Sequence, residues 1–250
     1  MECLNCSASP TIRSHLIPRV IAVEVQVGIA HAVVSPSSPG YRESQSGRID
    51  TSILCGPCDS SIGRFEDSTA KAFESLRNVG VGVSDGVLVS SEQAPEVTLR
   101  FYAALLWKYA VARRDLGQIN LGRYKSEMQK FAFDGAPIPD FFDAALMRLR
   151  INPDDAGVFA YRAPKPDRKD GLNMYRVMVG GVLAFVKVDQ RPWGDTPLRD
   201  IALRSATNTR ALVMAAQVFE EYKIPQQLAH NDSRLSAFLD RQDARAAQKA

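Results

Sequence analysis

The sequence predicts an α+β protein in three parts. Residues 1–78 form a cysteine-bearing N-terminal module, residues 79–95 a hairpin and linker, and residues 96–250 a mainly helical domain with a small antiparallel sheet near 157–188. Three observations predict this. Four cysteines fall in two C-x-x-C pairs, Cys3/Cys6 and Cys55/Cys58. Apolar residues after Glu96 recur at helical spacing, and from about residue 157 the apolar pattern changes to period two.

Composition limits the classes. The 250 residues are 45% apolar and 24% charged, which excludes collagen-like, coiled-coil and wholly disordered chains. The formal net charge of +3 is too small to demand a polyanionic partner. The most apolar runs are Phe101–Ala112, interrupted by Lys108, and Val177–Val188. Both are shorter than the roughly 20 residues that span a bilayer, so no membrane partner is expected. Residues 1–20 lack a secretory pattern, and the expected location is the cytoplasm.

Outside an oxidising compartment, paired cysteines read as metal ligands. Tetrahedral zinc takes four soft ligands, and a two-residue gap lets one tight turn present both sulfurs. Cys3, Cys6, Cys55 and Cys58 use every cysteine of the chain, with 48 residues between the pairs. The spacing predicts one structural Zn²⁺ stapling two distant segments. Residues 35–52 are rich in Ser, Pro and Gly and read as the loop filling the gap.

After the first pair, Leu16–Val27 reads as extended. After the second, Pro57 suits a first helical turn. Ile62, Phe65, Ala70 and Phe73 then recur at helical spacing, which predicts a helix to about residue 76. Knuckle, extended segment, knuckle and helix make a treble-clef (ββα-metal-like) pattern.

Within that pattern, Cys3-x-x-Cys6, Ser14-His15-Leu16-Ile17-Pro18 and Cys55-x-x-Cys58-Asp59 follow in order. The combination resembles the HNH endonuclease family over roughly residues 1–75. The resemblance implies a metal-dependent nuclease that hydrolyses phosphodiester bonds in DNA, of a kind that serves phage defence or restriction. It implies that His15 is the general base, a task that suits an imidazole because its pKa lies near neutrality. It places Asp59 as a ligand of a catalytic Mg²⁺ or Mn²⁺, with Glu66, two helical turns on, as a second ligand or orienting group. One position departs from the family: Ser14 stands where Asp, Glu or His usually binds the metal. Either Glu66 or another carboxylate substitutes, or metal binding is poor. The alternative is a non-catalytic zinc-stapled module that binds protein or nucleic acid.

The rest of the chain reads as follows. Val79, Val81 and Val83, then Asp85-Gly86 and Val87, Val89, signal a hairpin, and Ser90–Pro95 a linker. Helices are expected at Glu96–Leu116, Gly122–Phe133 and Pro139–Leu149. Strands are expected at Val158–Tyr161, Tyr175–Val179 and Val182–Val188, with Gly180-Gly181 as a turn and Ala163–Gly171 as a loop. A further helix within 197–222 begins near Pro197, and the tail from Asn231 reads as a frayed helix. Trp107 reads as core, and His31 and His230 as structural or solvent-facing. No internal repeat is present.

Residues 1–78 hold seven Lys/Arg and eight Asp/Glu, whereas residues 100–130 hold seven against two. A DNA-binding surface would therefore draw on Arg113, Arg114, Arg123 and Lys125, together with Arg100, Lys108 and Lys130. A partner protein could dock on the helical domain.

Overall fold

The chain begins with strand β1 (Ser14–His15), a single helical turn α1 (Arg19–Ala22) and the hairpin β2 (His31–Ser35) and β3 (Ser38–Ser44). Strand β4 (Ile49–Asp50) and the long helix α2 (Gly56–Val79) follow, then β5 (Val87–Val89), α3 (Pro95–Val111) and α4 (Lys125–Phe133). The second half contains β6 (Phe142–Arg150), β7 (Arg162–Lys169), β8 (Leu172–Val179), β9 (Val182–Val188) and the turn α5 (Pro197–Asp200). It ends with β10 (Arg210–Ala215), α6 (Glu220–Asn231) and α7 (Ser233–Ala247). This computed structural model describes residues 1–35, 38–92, 95–152, 154, 157, 158 and 160–248.

A six-stranded mixed sheet lies at the centre, in the order β5-β10-β6-β9-β8-β7. The β10–β6 pair is parallel and every other pair is antiparallel. On one face pack α2, α3 and α4, and the shared core runs without a break from Cys3 and Ile62 through Phe73, Tyr102 and Phe131 to Val213. The other face is covered by Leu198, Ile201 and Ala216, with Trp193, Phe219 and Tyr222 at the edge.

Helix α2 forms as expected, with Pro57 in its first turn and Ile62, Phe73 and Leu76 on its buried side. Helix α3 is buried on nearly every side, as an all-round apolar helix must be. Trp107 is core, 1% exposed. Strand β9 and the Gly180-Gly181 turn are also as expected. Both glycines have positive φ, 58° and 70°, the geometry of a tight two-residue hairpin. A Cβ at Gly180 would lie 2.6 Å from the Phe73 ring, so α2 approaches this turn as closely as it does only because the residue is glycine.

Several elements differ from expectation, and burial explains most of them. The helix expected at Pro139–Leu149 is strand β6, buried at every position. Phe142, Ala144 and Leu146 face the helices while Ala145, Met147 and Leu149 face the opposite core. A strand buried on both faces loses the polar alternation that marks a strand. The loop expected at Ala163–Gly171 is β7 and its turn, where Asp170 and Gly171 have φ of 52° and 79°; as an edge strand it tolerates Pro and charge.

The helix expected within 197–222 is one turn at Pro197, N-capped by Thr196, then strand β10 and the start of α6. The mainly helical domain with a small sheet is thus a sheet-centred fold. Leu16–Val27, expected extended, contains α1 and a turn of 3-10 helix. Val79–Val83 forms no strand, and β5 pairs with β10 instead. In the 35–52 segment, β3 pairs with β2 and β4 with β1; Pro36 and Ser37 lie outside the described residues. Around Phe159, also outside them, Val158, Ala160 and Tyr161 belong to no strand. The tail is the ordered helix α7, capped by Asp232, with Phe238 packed on Tyr41 of the β2–β3 hairpin. Among the described residues no helix is long and apolar enough to cross a membrane.

Candidate functional site

The first cysteine pair sits on a tight turn in which the Ser7 N–H donates to the Cys3 carbonyl at 2.8 Å and Ser7 takes φ 62°. The second sits on the N-terminus of α2, with Cys55 at the N-cap and Cys58 inside the first turn. Backbone bonds from Leu4 to Ile53 and from Ile12 to Leu54 clasp the two segments together. As a result all four Sγ atoms lie within 4.8 Å of one another. Cys6 is 3.6 Å from Cys55 and 3.5 Å from Cys58. The edge of a tetrahedron with metal–sulfur bonds near 2.3 Å is about 3.8 Å, so this quartet can hold a metal ion such as zinc.

A second layer supports it. Asn5 Nδ2 donates to Cys58 Sγ at 3.2 Å, and Gln129 Nε2 of α4 holds Asn5 Oδ1 at 2.9 Å. Burial raises the Cys3 thiol, but the backbone N–H groups of Cys55, Cys6 and Asn5 outweigh it and bring the pKa down to about 6. These donors favour a thiolate, the form that binds metal, at Cys3, whereas burial pushes the Cys58 thiol up to about 12 and Cys55 is raised as well.

A few residues from this quartet, β1 and β4 form a two-stranded ladder, Ser14 opposite Asp50 and His15 opposite Ile49. Ser14 is fully buried, and its Oγ donates to Asp59 Oδ1 at 2.5 Å. Lys108 of α3 donates from Nζ to the His15 carbonyl at 2.8 Å and to Glu66 Oε1 at 2.7 Å. The ammonium side chain is 2% exposed and the carboxylate 18%. The His15 ring is half-buried, and its Nε2 is enclosed without a hydrogen-bond partner among the described residues. Burial lowers the His15 pKa, aided by the positive charges of Lys108 and Arg19 and opposed by Asp59 and Glu66. The imidazole is therefore neutral at pH 7.

Asp59 and Glu66 thus both lie near His15, each already holding a donor. They do not gather into a ligand set. Among the described residues the cysteine quartet is the one group of three or more His, Cys, Asp or Glu close enough to share an ion. With Ser14 on Asp59 and Lys108 on Glu66, these side chains do not fit a hard divalent cation as they stand.

The basic residues divide. Arg113, Arg114, Arg123, Lys125 and Lys130 are exposed, and Arg123 lies over the Tyr124 ring, 5.0 Å from its centre. Arg100 is drawn inward, to Glu96 and to the carbonyls of Phe131 and Ala136. Lys108 is internal.

Sequence reasoning placed Lys108 on a DNA-binding surface and passed over Asp50. Lys108 left a signal, as the single charge inside an apolar run. Asp50 left none. Its carboxylate is fully buried and accepts bonds from Ser52 and from the Arg113 backbone N–H. Burial works against its charge, yet these donors hold its pKa below the usual carboxylate range. His31, read as structural or solvent-facing, is buried and bonds Tyr161 Oη through Nε2 at 2.8 Å, a structural place.

In comparisons with known proteins, the chain matches no family model, no curated protein and no solved structure.

Proposed function

We propose that the chain is a zinc-stapled, HNH-like nuclease acting on DNA, with His15 as the general base for phosphodiester hydrolysis. The observation that carries this reading is the Lys108–Glu66 pair lying against the backbone of His15. A buried ion pair contributes little net stability. Its presence beside a neutral, unpartnered imidazole is the arrangement expected where charge serves chemistry.

The zinc is structural in this reading, because four cysteines fill every position of a tetrahedral site and leave none for substrate. The order of the β1–β4 ladder and α2 suits the treble-clef expectation. A neutral imidazole can accept the proton of an attacking water. Asp59 and Glu66 then favour the imidazolium that forms, since both charges pull in that direction. Nε2 is enclosed, so this reading requires that it become accessible to water in the DNA complex. Arg114 and Lys125 are exposed to meet phosphates, and Arg113 and Arg123 can join them by leaving their contacts with Asp115 and Tyr124. A role in phage defence or restriction follows from the family likeness alone.

One observation favours a second reading, a non-catalytic zinc-stapled module that binds nucleic acid or protein. Both helix carboxylates are already satisfied, by Ser14 and by Lys108. Plasmid nicking separates the two. Zinc-loaded protein is incubated with supercoiled DNA alone, with Mg²⁺ and with Mn²⁺. The nuclease reading expects open circles, and a loss of about a hundredfold or more in His15→Ala at unchanged zinc content. No cleavage in any arm, or equal cleavage by His15→Ala, sinks it. DNA retained on the protein without cleavage supports the second reading.

A further inference from the structure

We infer that Lys108 is the positioning residue of the His15 site, tying the strand that carries the imidazole to the helix carboxylate that faces it. The inference rests on the nuclease reading. Its ground is that three elements distant in sequence meet at one ammonium. Helix α3 contributes Nζ, β1 contributes the His15 carbonyl at 2.8 Å, and α2 contributes Glu66 Oε1 at 2.7 Å.

Burying an ammonium is costly. An apolar side chain at position 108 would suit a helix buried all round, and packing alone gives no reason for a charge there. What the ammonium provides is directional. It fixes the main chain of His15, and it holds Glu66 against a strand that is only two residues long. The charged groups facing the ring are Lys108 from α3, Asp59 and Glu66 from α2, and Arg19 from α1. Lys108 and Arg19 favour the neutral ring, and the two carboxylates favour the charged one. Lys108 therefore fixes the main chain that carries the ring and adds to burial in favouring its neutral form.

The signs give distinct outcomes. Lys108→Met alone removes a positive charge and leaves Glu66 unopposed, so His15 titrates at higher pH. Lys108→Met with Glu66→Gln removes two opposed charges and leaves no unpaired carboxylate, which keeps the variant foldable. In that double variant the titration of His15 stays close to wild type while the backbone anchor is gone. Lys108→Arg keeps charge and donors.

The test combines imidazole NMR titration with the pH profile of plasmid nicking. The chain has three histidines, so the His15 signal is assigned by its loss in His15→Ala. Expected are an upward shift of the His15 titration in Lys108→Met and a matching upward shift of the acid limb of nicking. Relative to Glu66→Gln alone, which accounts for the carboxylate's own part, the double variant should lose about ten- to hundredfold in kcat, the scale of a displaced catalytic group, and Lys108→Arg should retain most activity. An unchanged His15 titration in Lys108→Met, or a kcat in the double variant equal to that of Glu66→Gln, overturns the inference. If wild type never nicks DNA, the nuclease reading fails, while the titration still decides whether Lys108 governs the ring.

Discussion

Ser14 and Asp59 are joined by a hydrogen bond of 2.5 Å from the hydroxyl to Oδ1. The residue before His15 therefore meets the helix carboxylate as a donor, where an acid would meet it as a second acceptor. Ser14→Ala removes a buried bond to a charged group, and stability should fall by about 1.5–3 kcal/mol. Ser14→Asp sets two carboxylates against each other. In the zinc-loaded protein its melting temperature should fall below that of Ser14→Ala in Mg²⁺-free buffer and recover on adding Mg²⁺, because the pair becomes a hard-cation site. Thermal melts without and with Mg²⁺ at constant zinc check this, and a Ser14→Asp protein indifferent to Mg²⁺ contradicts it.

The four Sγ atoms join segments 48 residues apart and can hold one ion, so metal binding should be coupled to folding of the N-terminal third. Purified protein should carry one zinc per chain by elemental analysis. Cys55→Ser should lose the metal and unfold residues 1–78. A metal-free Cys55→Ser variant with native hydrogen-exchange protection across α2 is the outcome against it. Asn5→Ala should keep the zinc but release it faster to a chelator, since Cys58 loses its N–H donor.

Stability should decline on mild acidification. Burial lowers the pKa of both His15 and His31 from the ordinary value of 6.5. A histidine buried neutral must be protonated more readily in the unfolded chain, so its contribution is complete above pH 6.5 and is lost as pH falls below it. Each such group adds a slope of at most about 1.4 kcal/mol per pH unit. Urea denaturation at pH 7.5 and 5.5 should show the loss, and His31→Gln should show less of it. Asp50 acts in the opposite range. Its lowered pKa adds stability that persists above about pH 4 and disappears in stronger acid. A midpoint equal at pH 7.5 and 5.5 contradicts the histidine assignment.

What the sequence by itself determined is local. Two C-x-x-C pairs define two sulfur-bearing turns, because the gap between ligands is fixed by backbone reach. The Pro57 start and apolar stripe of α2, and the glycine pair between β8 and β9, follow from φ/ψ preference and helical period. These signals act over a few residues and need no partner.

Tertiary structure decided the rest. Strand β6 is buried throughout because cores cover both of its faces, and a pattern without alternation cannot announce a strand. Strand β10 exists through its parallel pairing with β6, a contact no local window contains. Lys108 looked like an interruption in an apolar helix. Its role appears only where α3 passes α2 and β1, since an ammonium finds its acceptors 42 and 93 positions away in the chain.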